Sequence, residues 1–136
     1  MSDEVTIKND GTLKLSLDGS NLVMKDGKKK LTTFGVKKGN KLHFQADKDL
    51  PFSISGFKFT NETQYVDAPF TIHGHGTLDP PDKPITTGTK YCSEKADDHQ
   101  KLRVKINTQD GTAGDYTFGI TIGDYHHDPE MDVESG

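Results

Sequence analysis

The sequence predicts an all-β protein, a single antiparallel β-sandwich, from three observations. Apolar and polar residues alternate in short runs. Leu13, Leu15 and Leu17 alternate with Thr12, Lys14 and Ser16. Leu42, Phe44 and Ala46 alternate with Lys41, His43 and Gln45, and Tyr116, Phe118, Ile120 and Ile122 share one parity. A period of two puts each apolar set on one face of an extended strand. The runs recur at roughly 8–12 residues with turn residues between them, the spacing of sandwiches and barrels. Fourteen Gly and six Pro in 136 residues suit many turns and short strands, and no sustained 3.6-residue period, heptad or internal repeat competes.

The elements follow in order. Val5 and Ile7 open a strand, and residues 12–17 form the next. Asp18-Gly19-Ser20-Asn21 turns into Leu22-Val23-Met24, and Asp26-Gly27 is a hairpin-type turn. Residues 31–36 are extended, Lys37-Lys38-Gly39-Asn40 turns, and 42–46 are extended again. Phe52 and Ile54 continue the alternation, Gly56 interrupts it, and Phe57 and Phe59 resume, as at a bulge or bend. Phe70 and Ile72 make a short strand. Residues at about 73–101 read as a long irregular loop, the kind that is functional or disordered. Within it, 93–100 suit one helical turn capped by Ser93. Leu102, Val104 and Ile106 restore a strand, and 107–115 turn. The strand from Tyr116 to Ile122 leads into a loop bearing His126 and His127, and Met131 and Val133 mark a closing strand.

The length suits one domain, 1–136. Only 30% of residues are hydrophobic and 28% are charged, which argues for a thin two-layer core. With no Trp, that core needs Phe52, Phe57, Phe59 and Phe70, so they read as core rather than as a ligand pocket. One cysteine, Cys92, allows no internal disulfide. No apolar run approaches the roughly 18 residues of a membrane helix, so no membrane span is expected. The N-terminus lacks a basic start followed by an apolar run. A cytoplasmic protein is expected, or an exported one if a signal has been removed. Asn61-Glu62-Thr63 fits the glycosylation pattern, read here as chance.

The net charge of −4 conceals an asymmetry: residues 1–60 hold 11 Lys against 7 acids, and residues 61–136 hold 6 Lys and Arg against 14 acids. The basic excess gathers at Lys25, Lys28, Lys29, Lys30, Lys37, Lys38 and Lys41. Such a run is either a patch for phosphate or another acidic partner, or a set of turns and edge strands kept soluble by lysine. The second reading is favoured. One Arg, an acidic chain and no interleaved aromatics argue against nucleic acid.

Three stretches carry a family likeness: 34–44 (a strand, a Lys-Gly turn and an alternating strand), 49–54 (Asp-Leu-Pro-Phe-Ser-Ile), and 113–118 (Ala-Gly-Asp-Tyr-Thr-Phe). Their order resembles the cupredoxin-like β-sandwich. That resemblance implies a Greek-key sandwich and, in its copper-binding members, electron transfer. The position where such a member has its first histidine holds Phe52. The strand after Tyr116 ends in Gly119-Ile120-Thr121-Ile122 where the family places Cys, and Cys92 lies a strand too early. A blue-copper site needs one thiolate and two imidazoles around one metal. The resemblance therefore implies a cupredoxin-like or immunoglobulin-like sandwich without copper chemistry.

Candidate sites remain. His73-Gly74-His75 places two imidazoles on one side of an extended segment, a spacing that suits a shared metal. His126 and His127 are adjacent, with Asp124 and Asp128 as possible oxygen ligands, and need a sharp loop to face one ion. A joint site requires the two loops to meet. Cys92 and His99 lack a nucleophile-elbow signature, and Asp97-Asp98 and the Asp79/Asp82 pair show no hydrolytic pattern. The expected function is a non-enzymatic binding or structural module that presents loops to a protein partner, without a cofactor. The alternative is a histidine-loop metal-binding protein whose ligands are His73, His75, His126 and His127 and whose metal is Zn, Cu or Ni.

Overall fold

The computed structural model describes residues 5–7, 11–79 and 90–134, which form fifteen strands in two packed sheets, with no helix among the described residues. The first sheet runs β1 (Val5–Ile7), β5 (Thr33–Lys37), β15 (Glu130–Glu134), β13 (Gly114–Ile122), β7 (Ser53–Phe59), β10 (Lys90–Cys92) and β9 (Thr77–Asp79). Strand β14 (Tyr125–His127) also pairs with β13. The second sheet runs β11 (Glu94–Ala96), β12 (His99–Ile106), β6 (Lys41–Asp47), β2 (Gly11–Asp18), β3 (Asn21–Asp26) and β4 (Lys29–Lys30). Strand β8 (Phe70–Ile72) shares β12 with β11.

The alternating residues face each other across one core. Leu13, Leu15, Leu42, Phe44, Leu102, Val104 and Ile106 of the second sheet meet Phe34, Val36, Ile54, Phe57, Phe118, Ile120, Met131 and Val133 of the first. Burying each side chain of this size contributes roughly 1.5–3 kcal/mol. Phe57 stacks on Phe118 at 4.9 Å between ring centroids and meets Phe70 edge-on at 5.1 Å, so the phenylalanines do serve the core. Phe59 is partly buried and packs on Tyr116. The Tyr116 hydroxyl donates to the Thr112 carbonyl at 2.8 Å, which pins the turn that enters β13.

Gly56 does interrupt β7. Thr117 pairs with Lys58 and Gly119 with Ser55, so β7 carries one extra residue across that interval. Gly56 takes a φ of 72°, which a glycine adopts without a Cβ penalty.

The pairing differs from the expected all-antiparallel arrangement in three places. The ladders β1–β5, β5–β15 and β2–β6 are parallel. Alternation sets which face a strand buries, not the direction of its partner, and these partners are distant in sequence.

The stretch expected as an irregular loop at about 73–101 contains β9, β10 and β11, while residues 80–89 lie outside the described residues. The expected helical turn over 93–100 is instead a hairpin. Ala96 pairs with His99 across a two-residue turn, and Asp97 has a φ of 56°. Ser93 stands where the chain crosses from the first sheet to the second. Its hydroxyl donates to the Gln100 side-chain carbonyl at 2.9 Å and accepts from the Phe52 N–H at 3.0 Å.

Candidate functional site

The outward positions of the second sheet form rows fixed by strand register. One row crosses every strand of the main path: Glu94, Lys101, Gln45, Lys14, Lys25, Lys30. These residues alternate with the buried Leu13, Leu15, Phe44, Ala46, Gln100 and Leu102, so the row faces away from the core. The next row holds Arg103, His43 and Thr12, and the one beyond holds Thr71, Lys105 and Lys41. Cations therefore stand directly opposite one another at Lys14/Lys25, Lys25/Lys30 and Lys41/Lys105. Directly opposed Cβ atoms lie about 4.5–5.5 Å apart, and like charges there oppose folding.

Lys30 is offset by Asp18 at 3.5 Å. The Arg103 Nε–H donates to His43 Nε2 at 3.3 Å, which turns the guanidinium toward β6. Half-buried Lys25, Lys41 and Lys101 lay their stems on the sheet and keep their charge in water. A concavity of about 180 Å³ opens beside Lys14 and Lys25, with Ser16, Gln45, Asp47 and His99 also lining it.

Along the chain the basic excess lies in the run 25–41. Only Lys25, Lys30 and Lys41 of that run belong to the rows described here, and Lys14, Lys101, Arg103 and Lys105 complete them. A signal was present: the polar half of the β12 alternation reads His99, Lys101, Arg103, Lys105.

The four candidate metal histidines fall into two separate pairs. The His73 N–H donates to the Arg103 carbonyl at 2.7 Å and the Arg103 N–H to the His75 carbonyl at 2.8 Å, so this pair lies along the edge of β12 away from β6, between β8 and β11. His126 and His127 are not on a loop. They belong to β14, in register with Thr121 and Ile120, because Gly123 and Asp124 make a two-residue turn. Strand β14 packs against β3. From β12 across β6 and β2 to β3 is three strand spacings and the His73–His75 segment lies one spacing further out, roughly 19 Å in all at about 4.8 Å each. No group of three or more His, Cys, Asp or Glu side chains among the described residues is placed to hold one metal ion.

Within β14 the two imidazoles diverge, as adjacent strand residues must. His126 lies on the outer face of the first sheet. Its Nε2 is 2.6 Å from Asp128 Oδ1 and its Nδ1 is 3.2 Å from the Thr121 hydroxyl. Gly119 makes the room, since a Cβ there would sit 2.8 Å from His126 Cε1. Beside it, a concavity of about 270 Å³ is bounded by Ser55, Lys58, Tyr65 and Asp128. His127 is half-buried, and its Nε2 is enclosed with no hydrogen-bond partner among the described residues. Burial pushes its pKa down, His126 adds to that, and a hydrogen bond with the Leu31 backbone and the charge of Asp128 oppose it. Cys92, half-buried on β10, and His99, paired with Asp98 at 2.6 Å on β12, sit in different sheets.

No protein-family model and no curated protein matches the chain. Among solved structures it is similar to the crystal structure of Fet3p, a multicopper oxidase that functions in iron import, at 7% identity and a TM-score of 0.39. The match covers 97% of this chain and 28% of that one. A likeness at this level carries no argument, and the sandwich stands on the strand pairings above. No helix among the described residues is long and apolar enough to cross a membrane.

Proposed function

We propose that this chain is a non-enzymatic binding module that uses the outer face of its second sheet, rather than its loops, to hold an anionic macromolecule. The observation that supports this is the register of Lys14 against Lys25 and Lys41 against Lys105 in a chain of net charge −4. Opposed lysines work against folding, and an anionic partner turns that repulsion into binding energy. On the first sheet the outward positions of β13 and β15 carry acids, with Lys37 opposite Glu134 at their border. Asp115 stands opposite Asp132 there, with Glu130 and Glu134 on the same strand as Asp132. A polarised sandwich of this kind steers an acidic partner toward one face. A cupredoxin-like topology without copper is compatible with this role, because the sheet face needs no ligand set.

The test is fluorescence anisotropy with labelled polyglutamate, heparin and duplex DNA at low ionic strength and again at roughly 0.15 M salt. At least one polymer is expected to bind, to weaken with salt, and to be lost in the double variant Lys14→Glu/Lys101→Glu, whose circular dichroism stays unchanged. No binding at low ionic strength, or binding indifferent to those substitutions, overturns the proposal. Turnover of a hydrolase or redox substrate panel would overturn its non-enzymatic part.

One observation favours a second reading. His126 Nε2 and Asp128 Oδ1 share one proton at 2.6 Å on an exposed surface, and a divalent transition metal binding there would take that proton's place. Elemental analysis after supplementation with Zn, Cu or Ni tests it, and metal far below one equivalent rejects it.

A further inference from the structure

We infer that the partner is an extended acidic polypeptide segment lying over β12 and β6, with a carboxylate at every second residue. This rests on reading the second sheet's outer face as a binding surface. Lys101, Arg103 and Lys105 are successive outward positions of one strand, alternating with buried Leu102, Val104 and Ile106. Their repeat is two strand residues, about 6.6–6.8 Å. An extended peptide repeats its own side chains at the same interval, so carboxylates at i, i+2 and i+4 fall over all three rows.

Strand β6 supplies a second polar group in each row: Lys41 beside Lys105, His43 beside Arg103, and Gln45 beside Lys101. In the outer two rows a carboxylate over the β12–β6 seam, with two accepting oxygens, meets two donor side chains, and Glu94 stands on the far side of Lys101 from that seam. In the middle row His43 accepts the Arg103 Nε–H and so orients the guanidinium over the seam between the strands. The next row ends the run. Asp47 stands opposite His99 there, and its carboxylate repels a fourth acid. The face is thus matched to three alternating acids in a fixed register.

Two other anionic partners fit less well. The outward positions of β2, β6 and β12 include no Phe, Tyr or Trp for bases to stack on and no aliphatic side chain to enter a bilayer. Both edges of β12 are occupied, by β6 on one side and by β8 and β11 on the other. The segment therefore lies over the face instead of adding a strand, and its affinity comes from side chains and falls with salt.

The experiment is a ¹⁵N chemical-shift titration of the whole chain with two isomeric peptides, Ser-Glu-Ser-Glu-Ser-Glu-Ser and Ser-Ser-Glu-Glu-Glu-Ser-Ser, at low ionic strength. The alternating isomer is expected to bind more tightly by roughly two- to fivefold for each charge pair its isomer forfeits, with shifts centred on residues 101–105. The single variants Lys101→Ser and Lys105→Ser each lower its affinity by a similar factor and preserve the dispersed spectrum of the fold. Equal affinity of the two isomers overturns the inference while leaving the anionic face intact. So does binding of duplex DNA or phosphatidylserine vesicles through the same lysines when neither peptide binds. Failure of every anionic probe removes the underlying reading as well.

Discussion

Lys14 on β2 stands directly opposite Lys25 on β3, with Gln45 on one flank of the pair and Lys30 on the other. Neither lysine has an ion-pair partner among the described residues, and opposed like charges in a sheet cost roughly 0.2–1 kcal/mol. Lys25→Glu converts the repulsion to attraction on both sides. It is expected to raise the stability in urea denaturation by a few tenths to about 1 kcal/mol at low ionic strength, a gain that shrinks in concentrated salt. The same variant binds polyanions more weakly. A variant that is more stable yet binds less well separates a functional face from an accidental one. Lys25→Glu that loses stability would refute the electrostatic account.

The Ser93–Gln100 hydrogen bond holds the point where the chain changes sheets. Gln100 is only 6% exposed, and its amide N–H also donates to the Lys48 carbonyl at 2.9 Å. Gln100→Leu removes both contacts and strands the Lys48 carbonyl. A loss of about 1–3 kcal/mol is expected in urea melts. Ser93→Ala leaves the Phe52 N–H without its acceptor and costs about as much. The double variant loses less than the sum, because the two side chains share one network.

The fold was legible where burial is one-sided. Tyr116, Phe118, Ile120 and Ile122 alternate because one face of β13 is core, and all four are buried as that pattern demands. Gly56 was legible as a bulge because the apolar parity changes across it. Strands β9 to β11 were not, since they are three residues each and are held by ladders to distant partners such as Tyr91 with Ile54. Ser93 imitates a helix cap for the same reason that it serves the crossing: a short hydroxyl side chain beside free backbone N–H groups. The basic face was half visible. The polar parity of β12 is written in the chain, but the neighbourhood of Lys101 and Lys14 depends on the parallel register of β2 with β6, which no local pattern encodes.

Protonation of His127 is expected to couple to folding. Burial lowers its pKa below the usual 6.5, so the unfolded chain binds the proton more readily than the folded one. The neutral imidazole's contribution to stability is then complete above pH 6.5 and is lost as the pH falls through the lowered native value. His127→Leu removes this dependence. The difference between wild-type and variant stability, measured by denaturant titration at several pH values from neutral down to mildly acidic, is expected to be flat above pH 6.5 and to change below it. A flat difference throughout would show that His127 titrates alike in both states.

Gly76 tests the placement of the His73–His75 segment. Its φ is 124°, a conformation that L side chains rarely adopt, and a Cβ there would lie 2.3 Å from Leu102 Cδ1. Leu102 is fully buried, so its side chain cannot yield without disturbing Val104 and Phe44 nearby in the core. Gly76→Ala therefore combines backbone strain with overpacking, each worth roughly 1–3 kcal/mol. Gly27→Ala, at a φ of 64° in a β-turn with nothing within 4 Å of its added Cβ, reports the smaller cost of an ordinary left-handed position without overpacking. Gly76→Ala is expected to lower the urea midpoint clearly more than Gly27→Ala does, and Leu102→Val beside Gly76→Ala to recover part of the difference. Equal losses at the two glycines would mean that the segment does not press on β12, and the edge position of His73 and His75 would fall with it.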